Sequence, residues 1–184
     1  MDLIKQKAAA RKAAFARRKD AFANASPGQS AHLSAVLAGY RGVPLAGYMP
    51  IRTEISPLAA MAEASAHGPV GVPVIQGEAM ALEFSRWEPD GPLRDGPFGA
   101  KVPVEDNYFE PEIVIVPLVA FDIKGGRLGY GGGFYDRTLE RLRARRATLA
   151  IGFAFNAQEA DHLPLEDTDQ PLDMMVTETR IIEF

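Results

Sequence analysis

The chain has 184 residues, 47% of them hydrophobic and 24% charged, with a formal net charge of −4. That length suits one domain with a sizeable core, and the charge balance gives no general pull toward nucleic acid or anionic lipid. With no cysteine, disulfides, thiolate metal sites and a cysteine nucleophile are excluded; no apolar run nears the roughly 20 residues of a membrane span.

Residues 2–23 are dominated by Ala, Lys and Arg without Gly or Pro, which predicts a helix. Ile4, Ala8, Arg11, Phe15, Arg18 and Phe22 recur at helical spacing, so two arginines interrupt one apolar stripe and Lys7 borders it. They either snorkel to water at the edge of the core or point into an anion-binding cleft. The basic start resembles a transit peptide in composition but reads as part of the fold, so a cytoplasmic location is expected. "SPGQ" (26–29) breaks the chain before a second helix over 28–40. "VPLAGYMPI" (43–51) reads as a buried strand ended by Pro50. Ser56-Pro57 opens a helix to about 67. Strands are expected over 68–75 and 79–87, then a surface loop over 88–111. "EIVIVPLVAFD" (112–122) is the strongest buried-strand signal, its unbroken apolar run fitting a strand covered on both faces. Helix 135–146, strand 148–155, loop 161–173 and one or two strands in 174–184 complete the chain. The alternation predicts a single α/β domain over 1–184, with a mostly parallel or mixed central sheet flanked by helices on both faces.

"GGRLGYGGGF" (125–134) carries six glycines between the buried strand and a helix. Glycines there let a ligand approach bare N–H groups, and a helix N-terminus following such a turn favours phosphate. The common nucleotide motifs do not match: no Gly-Lys-Ser/Thr follows, and Phe134 stands where a dinucleotide fingerprint needs glycine. A hairpin over 118–130 is the competing reading, and both can hold, with Gly129, Gly131, Gly132 and Gly133 left to a ligand. The arginines from 137 to 146 read as a solvated helix end. Asp167, Asp169 and Asp173 read as a polar loop, and the three histidines lack metal-ligand spacing.

"VPLVAFDIKGGRLGYGGGFYDR" (116–137) closely resembles the signature of the 5-formyltetrahydrofolate cyclo-ligase family. The likeness runs along the whole chain. Lys7 and Arg11 meet a Lys-x-x-x-Arg pattern. Tyr48, Pro50 and Glu54 meet Tyr-x-Pro-x-x-x-Glu, "MALEF" (80–84) resembles a family strand, and "PLEDTDQPLDMMVTE" (164–178) resembles the family's ending. One segment departs: where many members carry Gly-Ile-x-Glu-Pro, this chain has Ala100 and Val102 in place of Ile and Glu.

The resemblance implies an ATP- and Mg²⁺-dependent ring closure of 5-formyltetrahydrofolate. By position it implies that Lys7, Arg11, Arg127, Gly129, Gly131, Gly132, Gly133, Phe134 and Tyr135 meet ATP. Asp136, and more weakly Asp122, would hold Mg²⁺. Tyr48, Glu54, Met80, Phe84 and Tyr135 would line the folate side. Lys7, Arg127 and Asp136 would serve the chemistry, with no protein nucleophile. The implied partners are small molecules, without nucleic acid or membrane, and the family leans to a monomer. The alternatives are a phosphate-binding relative without cyclo-ligase activity, suggested by residues 100–102, a nucleic-acid-binding basic helix over 5–19, and a sugar-phosphate isomerase-like enzyme.

Overall fold

A computed structural model describes residues 2–184. Helix α1 (Leu3–Ala23) starts where Asp2 accepts a hydrogen bond from the Lys5 N–H at 2.9 Å, satisfying one of the free donors of a helix start. Helix α2 (Ala31–Leu37) leads to strand β1 (Leu45–Ala46), helix α3 (Leu58–Ser65) and strand β2 (Val70–Val74). Four short strands follow: β3 (Glu83–Arg86), β4 (Leu93–Asp95), β5 (Lys101–Pro103) and β6 (Tyr108–Phe109). Then come β7 (Ile113–Val116), β8 (Ala120–Phe121), β9 (Arg127–Leu128), α4 (Phe134–Arg145), β10 (Leu149–Phe153), β11 (Met174–Val176) and β12 (Ile181–Glu183).

Eight strands form one sheet in the order β12-β11-β10-β7-β1-β2-β3-β6. The five central strands, β11, β10, β7, β1 and β2, are parallel, while β12, β3 and β6 pair antiparallel at the flanks. The expected α/β architecture with a mixed sheet is therefore present. Its centre is β7, where successive side chains face opposite ways. Ile113 and Ile115 join Leu33, Leu37, Ala60 and Met61 of α2 and α3 on one face. Val114 and Val116 join Leu139 and Leu142 of α4 on the other. The two leucines of α4 are fully buried, each contributing about 1.5–3 kcal/mol relative to exposure.

Chain order makes a crevice. From β1 the chain crosses through α3 to β2 on one side, then returns to place β7 on the other side of β1. Crossovers on opposite sides of one strand place helices on opposite faces and leave a gap beyond the carboxyl ends of β1 and β7.

Several boundaries differ from the sequence expectation. The strand expected over 112–122 is two pieces, because Pro117 lacks the N–H that would continue the ladder. The chain leaves the sheet there and β8 turns back on β9 as the separate expected hairpin. The strand expected over 43–51 keeps only two residues in the sheet; Tyr48 and Met49 turn to the crevice instead. The strand expected over 79–87 begins at Glu83. The loop expected over 88–111 holds the β4–β5 hairpin and β6, which extends the main sheet. No helix among the described residues is long and apolar enough to cross a membrane.

Candidate active site

A cavity of about 850 Å³ lies beyond the carboxyl ends of β1, β2 and β7, large enough for a drug-sized ligand. Its walls come from α1, the segment after β1, the glycine loop with the start of α4, the β4–β5 hairpin and the loop around residue 168.

The glycine loop is shaped by its backbone. Gly131 has φ +103° and Gly133 φ +68°, conformations that side chains with a Cβ rarely adopt. The turn before it is built by Asp122, whose Oδ1 accepts from the Lys124 and Gly126 N–H groups, each at 2.9 Å. That carboxylate therefore holds the hairpin turn, and Asp122 does not line the cavity. Its residue type at a strand end does not distinguish a turn from a metal ligand, and the expected metal role gains no support from its position.

Arg127 and Asp136 form an ion pair on the cavity wall. Arg127 is buried, and burial lowers its pKa against the opposing pull of Asp136; an arginine stays charged regardless. Asp136 Oδ1 also accepts from the Gln170 N–H at 2.8 Å. So the first turn of α4, the hairpin and the loop before β11 meet at one carboxylate. Arg127 Nε, Tyr135 Oη and Arg137 Nε are buried in this wall with no hydrogen-bond partner among the described residues. Such groups are costly unless something satisfies them. They leave polar groups in the wall that water or a polar ligand can satisfy.

Helix α1 supplies two further cations. Arg11 Nε donates to the Gly129 carbonyl at 2.7 Å. Lys7 Nζ reaches Glu166 at 3.1 Å and Asp169 at 3.2 Å. Burial lowers the Lys7 pKa, but those two carboxylates outweigh it and the net shift is upward. Of the two readings of this helix, the cleft-facing one describes Lys7 and Arg11. Arg18 follows neither: it is 1% exposed. The buried residues of the helix are Ala14 and Arg18, with Lys7 half-buried, and Ile4 and Phe22 of the expected stripe are exposed.

Across the cavity, Tyr48 donates to the Ile55 carbonyl at 2.6 Å and Glu54 Oε1 accepts from the Ile51 N–H at 2.8 Å. Both residues line the cavity. Burial raises the Glu54 pKa; the Ile51 N–H, the Tyr130 hydroxyl and the charges of Arg18 and Arg52 pull it back. A raised folded pKa means that this carboxyl's stabilising contribution is full below the unfolded value and lost as pH rises through the folded one. Glu54→Gln, which resembles the protonated form, is therefore expected to melt no lower than wild type at neutral pH. Its advantage should shrink as pH falls toward the ordinary value of 4.5. A variant melting clearly lower at neutral pH would contradict this.

Met80 is 51% exposed in the segment before β3, and Phe84 is buried in the sheet core; neither lines the cavity. Trp87 is likewise core. Of the arginines from 137 to 146, Arg145 and Arg146 are the exposed helix end that was expected and pair with Glu110; the other three are held by the fold. Arg137 lines the cavity and donates to the Gly132 carbonyl at 2.8 Å. Arg141 holds Glu83 and the Leu82 carbonyl, and Arg143 holds Gln170, Asp173 and the Pro171 carbonyl. Residues without an expected role also line the cavity: Tyr130, Glu166, Thr168, Asp169 and Phe98. Glu166 and Asp169 stood in the family-like ending of the chain, which was the signal for them. Phe98 is 74% exposed at φ 59° and meets Phe134 edge-on, with ring centres 6.4 Å apart.

A cleft beyond the carboxyl ends of parallel strands, with glycines and arginines in its wall, lies at the topological switch point where open α/β folds take their ligands. The model of the 5-formyltetrahydrofolate cyclo-ligase family matches residues 4–178. The chain belongs to that family. A cyclo-ligase of Haemophilus influenzae is 43% identical over 96 residues, which is 50% of this chain and 51% of the relative, so that match spans about half the relative's length. A cyclo-ligase of Mycolicibacterium smegmatis is 29% identical over 167 residues, covering 83% of this chain and 84% of the relative. The solved 5,10-methenyltetrahydrofolate synthetase of Aquifex aeolicus superposes with a TM-score of 0.75 at 27% identity, covering 96% of this chain and 92% of that one.

Proposed function

We propose that the protein converts 5-formyltetrahydrofolate to 5,10-methenyltetrahydrofolate, consuming ATP and releasing ADP and phosphate. The observation that carries this reading is the facing of two unlike walls across one cavity. One is a glycine and arginine wall with unsatisfied buried donors; the other presents the buried acid Glu54 beside Tyr48.

A formyl oxygen is a poor leaving group. Transfer of the γ-phosphoryl to it breaks the terminal phosphoanhydride bond and forms an iminium phosphate at N5. The N10 amine then attacks the formyl carbon, the C–O bond breaks, phosphate departs and N10 loses its proton, leaving the five-membered methenyl ring. No protein nucleophile enters, so the chain's work is positioning and charge stabilisation. The N–H groups of the 129–134 loop and the forks of Arg127 and Arg11 suit phosphate oxygens. Lys7 adds a point charge. Glu54 suits the N–H edge of the pterin, and the Tyr135 hydroxyl, buried with no hydrogen-bond partner among the described residues, suits a polar atom of the bound folate.

Among the described residues no three acidic or histidine side chains are gathered for a metal. Mg²⁺ needs few, since it keeps waters and shares phosphate oxygens. The hard-oxygen residues on this wall, Asp136 first, fit it; bound there, Mg²⁺ would neutralise charge on the phosphates. The location expected is cytoplasmic and the state monomeric.

The test is near-ultraviolet absorbance of the methenyl product on mixing the protein with 5-formyltetrahydrofolate, Mg²⁺ and ATP. Growth of the band only with ATP is the expected result. A flat trace from folded protein would overturn the reading. ATP binding measured on the same sample would then favour the phosphate-binding alternative, which the apolar Ala100 and Val102 in the cavity wall support.

A further inference from the structure

Tyr130 belongs to the glycine loop, between Gly129 and Gly131, yet its hydroxyl bonds to the opposite wall. It donates to Glu54 Oε2 at 2.8 Å and accepts from Arg18 Nη1 at 2.5 Å. Arg18 Nε in turn donates to Thr53 Oγ1 at 2.9 Å, one residue before Glu54. The Arg18 guanidinium lies 5.0 Å from the centre of the Phe15 ring and 5.6 Å from that of Tyr130, and those rings lean on each other at 5.8 Å.

A fully buried arginine is expensive, and packing alone would be served by an aliphatic residue. What this one does is grip two segments at once. Thr53 fixes it to the segment that carries Glu54, and Tyr130 fixes it to the loop that carries the glycines. Glu54 accepts from Ile51 through Oε1 and from Tyr130 through Oε2. A carboxylate has about four acceptor positions, so roughly two remain for a ligand's N–H groups, and the Tyr130 bond sets where they point.

We propose that Tyr130, braced by Arg18, is a positioning residue that couples the glycine cradle to the acid on the facing wall, so that each of the two ligands tightens the binding of the other. This rests on the cyclo-ligase reading, which assigns the cradle to ATP and the acid to folate. A loop drawn onto phosphates carries the Tyr130 hydroxyl with it. Because Arg18 is anchored to Thr53, few loop positions satisfy both Arg18 and Glu54. Ordering the loop for one ligand therefore sets the acid for the other. Linkage makes the effect reciprocal. Tyr130→Phe keeps the ring against Phe15 and Arg18 and removes only the relay. Arg18→Lys keeps the charge but not the fork.

The experiment is calorimetric titration of 5-formyltetrahydrofolate into the protein, with and without Mg²⁺ and a non-hydrolysable ATP analogue. In wild type the analogue is expected to lower the folate Kd by about 5- to 150-fold, the usual span of such coupling. In Tyr130→Phe folate still binds but the factor falls toward one, and Arg18→Lys falls between the two. The reverse titration of the analogue should give the same factors. A purely structural Tyr130 would leave the factor at its wild-type value while lowering the melting temperature. That outcome, or a wild type with no coupling, overturns the proposal and leaves the proposed function standing. A wild type that binds neither ligand overturns both. Where Tyr130→Phe does not fold, Arg18→Lys decides: an unchanged factor overturns the coupling and a reduced one supports it.

Discussion

Asp136→Ala is expected to lower the melting temperature by about 6–20 °C, corresponding to a loss of about 3–5 kcal/mol. The cause is Arg127, which stays buried and charged when its partner is removed; the Gln170 N–H loses its acceptor as well. Loss of activity in this variant alone would say nothing of catalysis. Two further variants separate the roles. Asp136→Asn keeps an oxygen for Gln170, so it should fold with a smaller loss while turnover falls on the order of 100-fold. If Asp136 holds the metal, the Mg²⁺ concentration required by the remaining activity rises. The pair Arg127→Met with Asp136→Leu should melt well above Asp136→Ala, since apolar replacement of a whole buried pair is often neutral, short of wild type by the acceptor lost to the Gln170 N–H, and should be inactive. An Asp136→Ala protein with an unchanged melting temperature would contradict the dependence of Arg127 on this carboxylate.

Gly131→Ala should raise the ATP concentration needed for half-maximal rate by about tenfold or more. At φ +103° an alanine is strained by roughly 1–3 kcal/mol. The added Cβ would find only ordinary contact with the Arg11 guanidinium, at 3.5 Å, so the penalty comes from the backbone. The loop can relieve it by turning its N–H groups away from the phosphates, at a tenfold affinity loss for each 1.4 kcal/mol. Gly129→Ala is the stability control. Its φ is not positive, and its nearest new contact is Arg127 Nη1 at 3.6 Å, so it should melt near wild type. Equal ATP titrations for Gly131→Ala and wild type would show that the bare backbone is not what binds.

How much of this could be read from the residues depended on whether the signal was local. The apolar run at 113–116 and the glycines before a basic helix are contiguous, and they located the sheet centre and the cavity wall. Lys7 and Arg11 were legible because a charge on an apolar helix face is a local anomaly. Arg18 broke the same face, yet its role depends on Tyr130 and Thr53, which lie 112 and 35 positions away. Nothing in spacing along one helix encodes that. Met80 and Phe84 lie off the cavity and were illegible for the opposite reason: an apolar residue near a site looks the same in sequence whether it faces a ligand, the solvent as Met80 does, or the core as Phe84 does. Asp122 shows a third limit, since a carboxylate at a strand end serves a turn as readily as a metal. The β4–β5 hairpin was hidden because its strands are three residues each and rich in charge and proline, which suits an exposed ribbon as well as a loop.

The ion pairs of Lys7 with Glu166 and Asp169 span 159 and 162 positions of sequence. Helix α1 thus finds these partners only after residues 166 and 169 have been made. Contacts of such separation form late and slowly, and domains made vectorially wait for them. The wall that carries the glycine loop is thereby finished late, and a nascent chain stopped before residue 166 would carry that loop without the carboxylates that hold Lys7. Closure of this wall is thus timed by the synthesis of residues 166–169.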